Sequence, residues 1–321
     1  MRTPCRGSPE LGVVKPKATL PFPMEMVGTY SCHGVEPGIR MGETTAKINQ
    51  DRGCVVYPFG PDGSKTMALF CVYDGHGANG DKVSHYVMNN VQEALDQHPK
   101  LLDDPAAALK ETFVKVDAML KKDPTIDAEL SGTTAVVTLV VVEGAKKTFY
   151  VANAGDSRCV LCKNGKNYDL SEDQKPDTPA EMKRIKKAGG HVSPPEVEWG
   201  GPARVWMDAN MTLPGLAMGR SIGDHLVKSV GVIAEPEVVT YEVEAGDRYF
   251  VMASDGVWEF IESQPCCDIV NAYIDGSATE ACTKLIETAA AKWRQEEGDY
   301  RDDITALCVK VPELMAEMGA A

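Results

Sequence analysis

No stretch of this 321-residue chain stays apolar for the roughly 18 residues that a membrane-spanning helix requires. The longest apolar run, 135–142, is broken only by Thr138 and has the length of a strand. Residues 1–24 carry prolines and scattered basic residues but no apolar h-region, which excludes a secretory signal. Gly does not follow Met1, which excludes N-myristoylation. Basic charge is in short supply: 33 Lys and Arg stand against 47 Asp and Glu, and the net charge of -14 argues against a nucleic-acid or anionic-membrane binder. A soluble protein of the cytoplasm, the nucleus or both is expected. Paired metal-binding cysteines are missing as well. The ten cysteines read as reduced, mostly buried thiols rather than a disulfide framework. Cys159-Val160-Leu161-Cys162 falls on a strand, where an offset of three points the side chains to opposite faces, and no second pair completes a zinc site.

What is present is ordinary for a globular protein: 43% hydrophobic and 25% charged residues, in a chain long enough to bury a substantial core. Residues 1–25 read as an extended arm punctuated by Pro4, Pro9, Pro16, Pro21 and Pro23. Strands are expected near 28–33 and 54–59 and over the run ending at Asp74. Beyond Gly80 the period turns helical, with Val83, Tyr86, Val87, Val91, Ala94 and Leu95 on one face. Asp104-Pro105 opens a second helix as N-cap and first-turn proline, and Leu109, Phe113, Val116 and Leu120 form its buried stripe. Strands return over 134–142 and 148–152 across a hairpin-length connection, and again from Arg158. Thr178-Pro179-Ala180-Glu181 has the form of a capping box opening a short helix that ends at Gly189-Gly190. The segment 191–215 is rich in Pro, Gly and polar residues and reads as an irregular surface excursion. A strand over 248–254, two helices and a last strand over 304–311 complete the order. Strands and helix pairs segregated in this way predict an α+β fold of stacked antiparallel sheets with the helices outside, in one domain.

The chemistry lies at strand ends. Met67-Ala68-Leu69-Phe70-Cys71-Val72-Tyr73 runs into Asp74-Gly75-His76-Gly77, where an acid ends a buried strand and glycines let the backbone approach whatever the acid holds. Asp51, Asp156, Asp255 and Asp302 also stand at strand edges, and Asp255, like Asp74, is followed directly by glycine. Hard oxygen ligands on rigid strand ends suit Mg²⁺ or Mn²⁺. His76 beside such a cluster is placed to give a proton to a leaving oxygen.

At this point the sequence resembles the protein phosphatase 2C family of metal-dependent serine/threonine phosphatases, over about 28–311. The motifs that carry the resemblance occur in the family's order: Asp74-Gly75-His76-Gly77-Ala78-Asn79-Gly80, Ser131-Gly132-Thr133-Thr134-Ala135, Asn153-Ala154-Gly155-Asp156-Ser157-Arg158, Leu216-Ala217-Met218-Gly219-Arg220-Ser221-Ile222-Gly223-Asp224, Glu235-Pro236-Glu237-Val238, Ala253-Ser254-Asp255-Gly256-Val257-Trp258-Glu259 and Asp302-Asp303. Each alone is weak; together and in order they are specific. The resemblance implies a four-layer α-β-β-α sandwich over 26–312, between the arm at 1–25 and a tail at 313–321, with a variable flap at about 178–215. It implies a site for two Mg²⁺ or Mn²⁺ ions, with Asp74 bridging both, the Gly75 carbonyl on one, and Asp255 and Asp302 on the other. His76 would be the general acid, and a metal-bridged hydroxide would attack phosphorus without a phosphoenzyme. Asp156, Asp255 and Glu259 match a possible third metal site, and Gly132 and Thr133 match a supporting strand entrance. Substrates would be phosphoserine or phosphothreonine proteins, and the enzyme a monomer.

The chain also departs from the family. Animal members often carry Arg-x-x-Met-Glu-Asp where this chain has Lys47-Ile48-Asn49-Gln50-Asp51. Asp51 keeps a carboxylate for the metals, Gln50 replaces the Glu, and Lys47 becomes the expected phosphate contact, with Arg40 as its competitor. Asp303 stands for the usual Asn and Glu259 for an Asp. Asp224 is expected to stabilise a turn and Trp258 to lie in the core. The rival reading is a catalytically weak, phosphatase-like regulatory binding protein, against which Asp74, His76, Asp255 and Asp302 are all retained. No cysteine has the arginine six residues on that a cysteine-nucleophile phosphatase needs, and the Asn-His-Glu turn of calcineurin-like metallophosphatases does not occur.

Overall fold

The run Met67–Tyr73 is apolar at every position because both of its faces are covered. Ala68, Phe70 and Val72 point into a core between two sheets, while Leu69, Cys71 and Tyr73 point to a second core under helices. In the computed structural model, which describes residues 20–319 apart from 41, 62 and 197–200, this strand belongs to a five-stranded antiparallel sheet. The order is Glu237–Glu242, Lys146–Ala154, Ala135–Glu143, Met67–Tyr73, Arg52–Val56. A second five-stranded antiparallel sheet has the order Val27–Cys32, Ile304–Lys310, Asp247–Ala253, Arg158–Lys163, Lys166–Asp169. The two stack face to face. Phe250 of one sheet meets Phe70 and Phe149 of the other edge-on, each at 5.4 Å between ring centroids.

Helices Gly80–Asp96 and Pro105–Leu120 cover the outer face of the first sheet with Val83, Val87, Val91, Leu109 and Phe113. Ser263–Asn271 and Ala278–Glu296 cover the second through Cys267, Val270, Leu285 and Ala289. This is the expected four-layer α-β-β-α sandwich. Asp104 caps its helix as expected, its carboxylate accepting from Ala107 N at 3.0 Å. Cys159 faces the inter-sheet core and Cys162 the helices, the opposite facing that their spacing dictates. Among the described residues no helix is long and apolar enough to cross a membrane.

Three expectations are corrected. The last strand ends at Lys310, and the proposed tail begins within a helix, Val311–Gly319, whose Val311, Leu314, Met315 and Met318 close one side of the inter-sheet core. Residues 1–19 of the expected arm lie outside the described residues; within the remainder Phe22 packs, buried and stacked on Tyr57 at 4.5 Å. The excursion 191–215 contains a three-stranded sheet of His191–Ser193, Arg204–Trp206 and Pro214–Leu216. The capping box at Thr178 does not form. Thr178 Oγ1 donates instead to Lys175 O, and Glu181, buried in Pro179–Lys187, takes Arg184 at 2.5 Å and Arg220 at 2.8 Å. Two guanidinium groups outcompete a single backbone N–H for that carboxylate.

Burial pushes the Glu181 carboxyl up, but the hydrogen bonds and charges of Arg184 and Arg220 outweigh it and hold the group below its ordinary range. The carboxylate's contribution to stability is therefore present above the ordinary Glu range and is lost as pH falls through the depressed folded value. Glu181→Gln is expected to cost about 2 kcal/mol at pH 7, because Arg220 still keeps Glu237. The difference in melting temperature between the two proteins should close as the pH is lowered toward 3. Leu314→Ala, which opens a cavity under the last helix, should cost about 3 kcal/mol in urea unfolding.

Candidate active site

The site is assembled where the sandwich strands end. Asp74 follows Tyr73 directly, and its backbone is clamped: its N donates to Thr134 Oγ1 at 3.0 Å, while its carbonyl accepts from Thr134 N at 2.8 Å and from Thr133 Oγ1 at 3.0 Å. A short three-stranded sheet continues from it, with Gly75–His76 against Gly132–Thr133 and Gly132–Thr133 against Ile222–Gly223. Gly132 thus pairs with both His76 and Gly223, next to Asp224. A Cβ on Gly132 would stand 2.1 Å from Asp224 Oδ2 and 2.8 Å from His76 Nε2. Only glycine leaves room for the ion pair formed there, His76 Nε2 to Asp224 Oδ2 at 2.8 Å. Asp224 adopts φ +49°, a left-handed conformation that non-glycine residues seldom take.

Asp74, Gly75, His76, Asp255, Asp302 and Lys47 line one cleft of about 550 Å³, together with Gln50, Asp224 and Tyr300. The carboxyls of Asp74 and Asp255 lie close enough for the charge of Asp255 to raise the cost of ionising Asp74. Burial, then the charges of Asp255, Asp51, Asp302 and Asp156, push Asp74 well above the usual carboxylate range. Burial and the charges of Asp156 and Asp302 do the same to Asp255. For His76, burial disfavours the imidazolium, but the carboxylate of Asp224 overrides it and raises the pKa; the same pairing holds Asp224 below its ordinary value against its own burial. Asp224 is therefore the acceptor, Nε2–H the donor, and His76 Nδ1 is left buried without a hydrogen-bond partner.

The remaining acids sit less openly. Asp51 is 3% exposed and lies outside the cleft lining, with Ser254 Oγ donating to its Oδ2 at 2.7 Å; burial foremost pushes it up to about 7. Asp156 is buried against Lys175 at 2.6 Å, and its Oδ1 has no hydrogen-bond partner. Glu259 is exposed and outside the cleft lining, so the three acids assigned to a third ion do not share one opening. Arg40 is not brought to the site either. Its guanidinium is 83% exposed and pairs with Glu43 in the turn between Val35–Pro37 and Thr44–Ala46. Lys47 is: its ammonium lies 2.7 Å from Asp302 Oδ1 and 3.3 Å from Tyr300 OH, with the Tyr300 ring 5.1 Å away.

Two substitutions relative to the family prove to be supports. Gln50 donates through Nε2 to Gly77 O at 2.8 Å, and Asp303 accepts from Gln50 N at 2.8 Å and from Gly34 N. Sequence reasoning missed Tyr300 and the His76–Asp224 pair; the Asp224 motif was visible, but nothing local joins it to a histidine 148 residues away.

Among the described residues, no group of three or more His, Cys, Asp or Glu side chains is drawn together as a finished ion cage. The donor set nevertheless fits a hard divalent cation. Like-charged carboxyls are buried against one another, Asp156 Oδ1 is unpartnered, and lysine ammoniums sit on two of the acids.

Comparison with known proteins joins these observations. The family model for protein phosphatase 2C matches residues 40–298. The chain is 38% identical over 292 residues to Probable protein phosphatase 2C 35 of Arabidopsis thaliana, covering 84% of this chain and 81% of that protein. It is 35% identical over 279 residues to Probable protein phosphatase 2C 64 of Oryza sativa subsp. japonica, covering 82% of this chain and 62% of the relative. Among solved structures, a serine-threonine phosphatase 2C from Toxoplasma gondii superposes with a TM-score of 0.74 at 22% identity, over 88% of this chain and 94% of that one. A C. elegans sex determining protein follows at 0.69 and 20% identity, over 91% and 67%. The two solved structures share the fold at low identity; the family model and the Arabidopsis relative establish descent, and the chain belongs to the protein phosphatase 2C family.

Proposed function

We propose that this chain is a Mg²⁺- or Mn²⁺-dependent phosphatase of phosphoserine and phosphothreonine proteins, acting as a monomer in the cytoplasm or nucleus. The observation that carries the reading is the convergence of Asp74, His76, Asp255 and Asp302 on one cleft, in a chain of this family. Asp74, the Gly75 carbonyl, Asp255 and Asp302 would hold two ions, with Asp51 behind them. A third beside Asp156 would have to displace Lys175 and draw in Glu259, which supports two ions over three. Bound ions would acidify a water for attack on phosphorus and neutralise phosphate charge. Lys47, on the cleft wall, adds a positive point charge for the phosphate while holding Asp302.

His76 supplies the proton. Asp224 fixes the ring through Nε2 and favours the imidazolium, so Nδ1 can carry the proton that goes to the departing serine or threonine oxygen. No observation favours the rival, non-catalytic reading.

Phosphate release from a phosphothreonine peptide should require Mn²⁺ or Mg²⁺ and stop with EDTA. Asp255→Ala should lower kcat/KM by at least about 100-fold. Independently of turnover, saturating Mn²⁺ should raise the melting temperature of the wild type and not of Asp255→Ala, since at 100 times Kd binding adds about 2.7 kcal/mol. Equal activity with EDTA would exclude the metal-dependent reading. Asp224→Asn should slow phosphothreonine hydrolysis by about 100-fold. It should slow p-nitrophenyl phosphate hydrolysis far less, because that leaving group needs no proton. Equal losses on both substrates would count against His76 as the acid.

A further inference from the structure

The lining of the cleft divides chemically. The acids, His76, Lys47 and Tyr300 come from the sandwich edge, whereas the rest of the lining is largely aliphatic: Leu130, Leu213, Pro214, Leu216 and Met218. Two of these are far more open than a leucine in a core, Leu130 at 52% and Leu213 at 59% exposed. Both are firmly placed. The Leu130 carbonyl packs so closely on Gly77 that a Cβ there would come within 2.3 Å of it, which sets the leucine beside the Asp74–His76 turn. Leu213 is held by its own carbonyl, which accepts from Met207 N at 2.9 Å, and by its neighbours: Arg204 Nη1 donates to Gly215 O at 2.6 Å, and Gly215 is packed so closely on the Trp206 ring that a Cβ would come within 2.6 Å of it. The two leucines are thus a fixed apolar wall of the same opening that holds the acids.

We infer that this wall is a subsite for a large aliphatic side chain directly beside the phosphorylated residue, so that the preferred substrates are phosphothreonine or phosphoserine segments with leucine, isoleucine, valine or methionine next to the phosphate. The inference rests on the phosphatase reading above and adds the sequence class of its substrates. The continuity of the wall with the catalytic acids fixes the occupant, because a substrate phosphate seated near Asp74 and Asp302 places its neighbouring residue within the same 550 Å³. The chemistry of the wall selects among neighbours. Leu130, Leu213, Leu216 and Met218 offer no side-chain N–H or O–H, so a polar side chain placed there would lose water without gaining a partner. An acidic neighbour would meet the carboxylates of Glu129, Asp74, Asp255 and Asp302 besides, while the two cations of the lining are already engaged, Lys47 with Asp302 and Arg204 with Gly215 O.

The test measures kcat/KM on phosphothreonine peptides that differ only at the residue before or after the phosphothreonine, leucine against glutamine, with p-nitrophenyl phosphate as a substrate that has no neighbouring residue. Leucine at one of the two positions should be preferred by about tenfold or more. Leu213→Ala or Leu130→Ala should shrink that ratio. Hydrolysis of p-nitrophenyl phosphate together with equal rates on the leucine and glutamine peptides at both positions would overturn the subsite and leave the phosphatase reading standing. No turnover of any of these substrates would overturn both. A leucine preference that survives both substitutions unchanged would place the selectivity elsewhere and also overturn the assignment.

Discussion

The structure depends on keeping several carboxylates close together where water is scarce. Asp74 and Asp255 share the cleft, Asp51 and Asp156 are buried, and Asp302 joins the group from just before the strand Ile304–Lys310. Burial drives Asp74, Asp255 and Asp51 toward their protonated forms, and neighbouring charge raises the penalty. The fold offsets this locally with Lys47 on Asp302, Lys175 on Asp156 and Ser254 on Asp51. What those groups leave uncompensated is the electrostatic opening for divalent cations. Rigid strand ends can hold such a repulsive arrangement because the two sheets behind them are closely packed on three apolar layers.

The half of the site that holds His76 depends on a different constraint, the crossing of three short strands. His76 and Asp224 can meet only because Gly132 presents no side chain between them. Asp224 accepts a left-handed backbone to reach the ring, and in return its carboxylate fixes which nitrogen faces away from it. Leu130, just before the strand Gly132–Thr133, also lines the cleft, so His76 and this leucine are positioned by one piece of backbone.

Much of this was legible in the chain. The run ending at Asp74 announced a strand covered on both faces, the helical stripes after Gly80 and Asp104 fell where they were expected, and the acids followed by glycine marked the strand ends that form the cleft. Less visible were elements whose formation depends on distant partners. The helix at Val311–Gly319 is stabilised by the inter-sheet core it closes, and the strands within 191–215 are too short to carry a period of their own. The capping box at Thr178 was misleading because Glu181 finds Arg220 nearly forty residues further along, at 2.8 Å. Lys47 was the expected phosphate contact and Arg40 its competitor, and only Lys47 reaches the cleft.

By itself the sequence determined the fold class, the family and the strand-end acids that could line a cleft, because alternation, helical period and ordered motifs are local properties of the chain. Tertiary structure alone decided which of those residues act together. It paired His76 with Asp224, committed Lys47 to Asp302, removed Arg40 and Glu259 from the cleft, and gathered leucines from separate segments into one wall. These outcomes are set by how strands cross and sheets stack, which brings together residues distant in sequence, and no local pattern in the chain encodes that geometry.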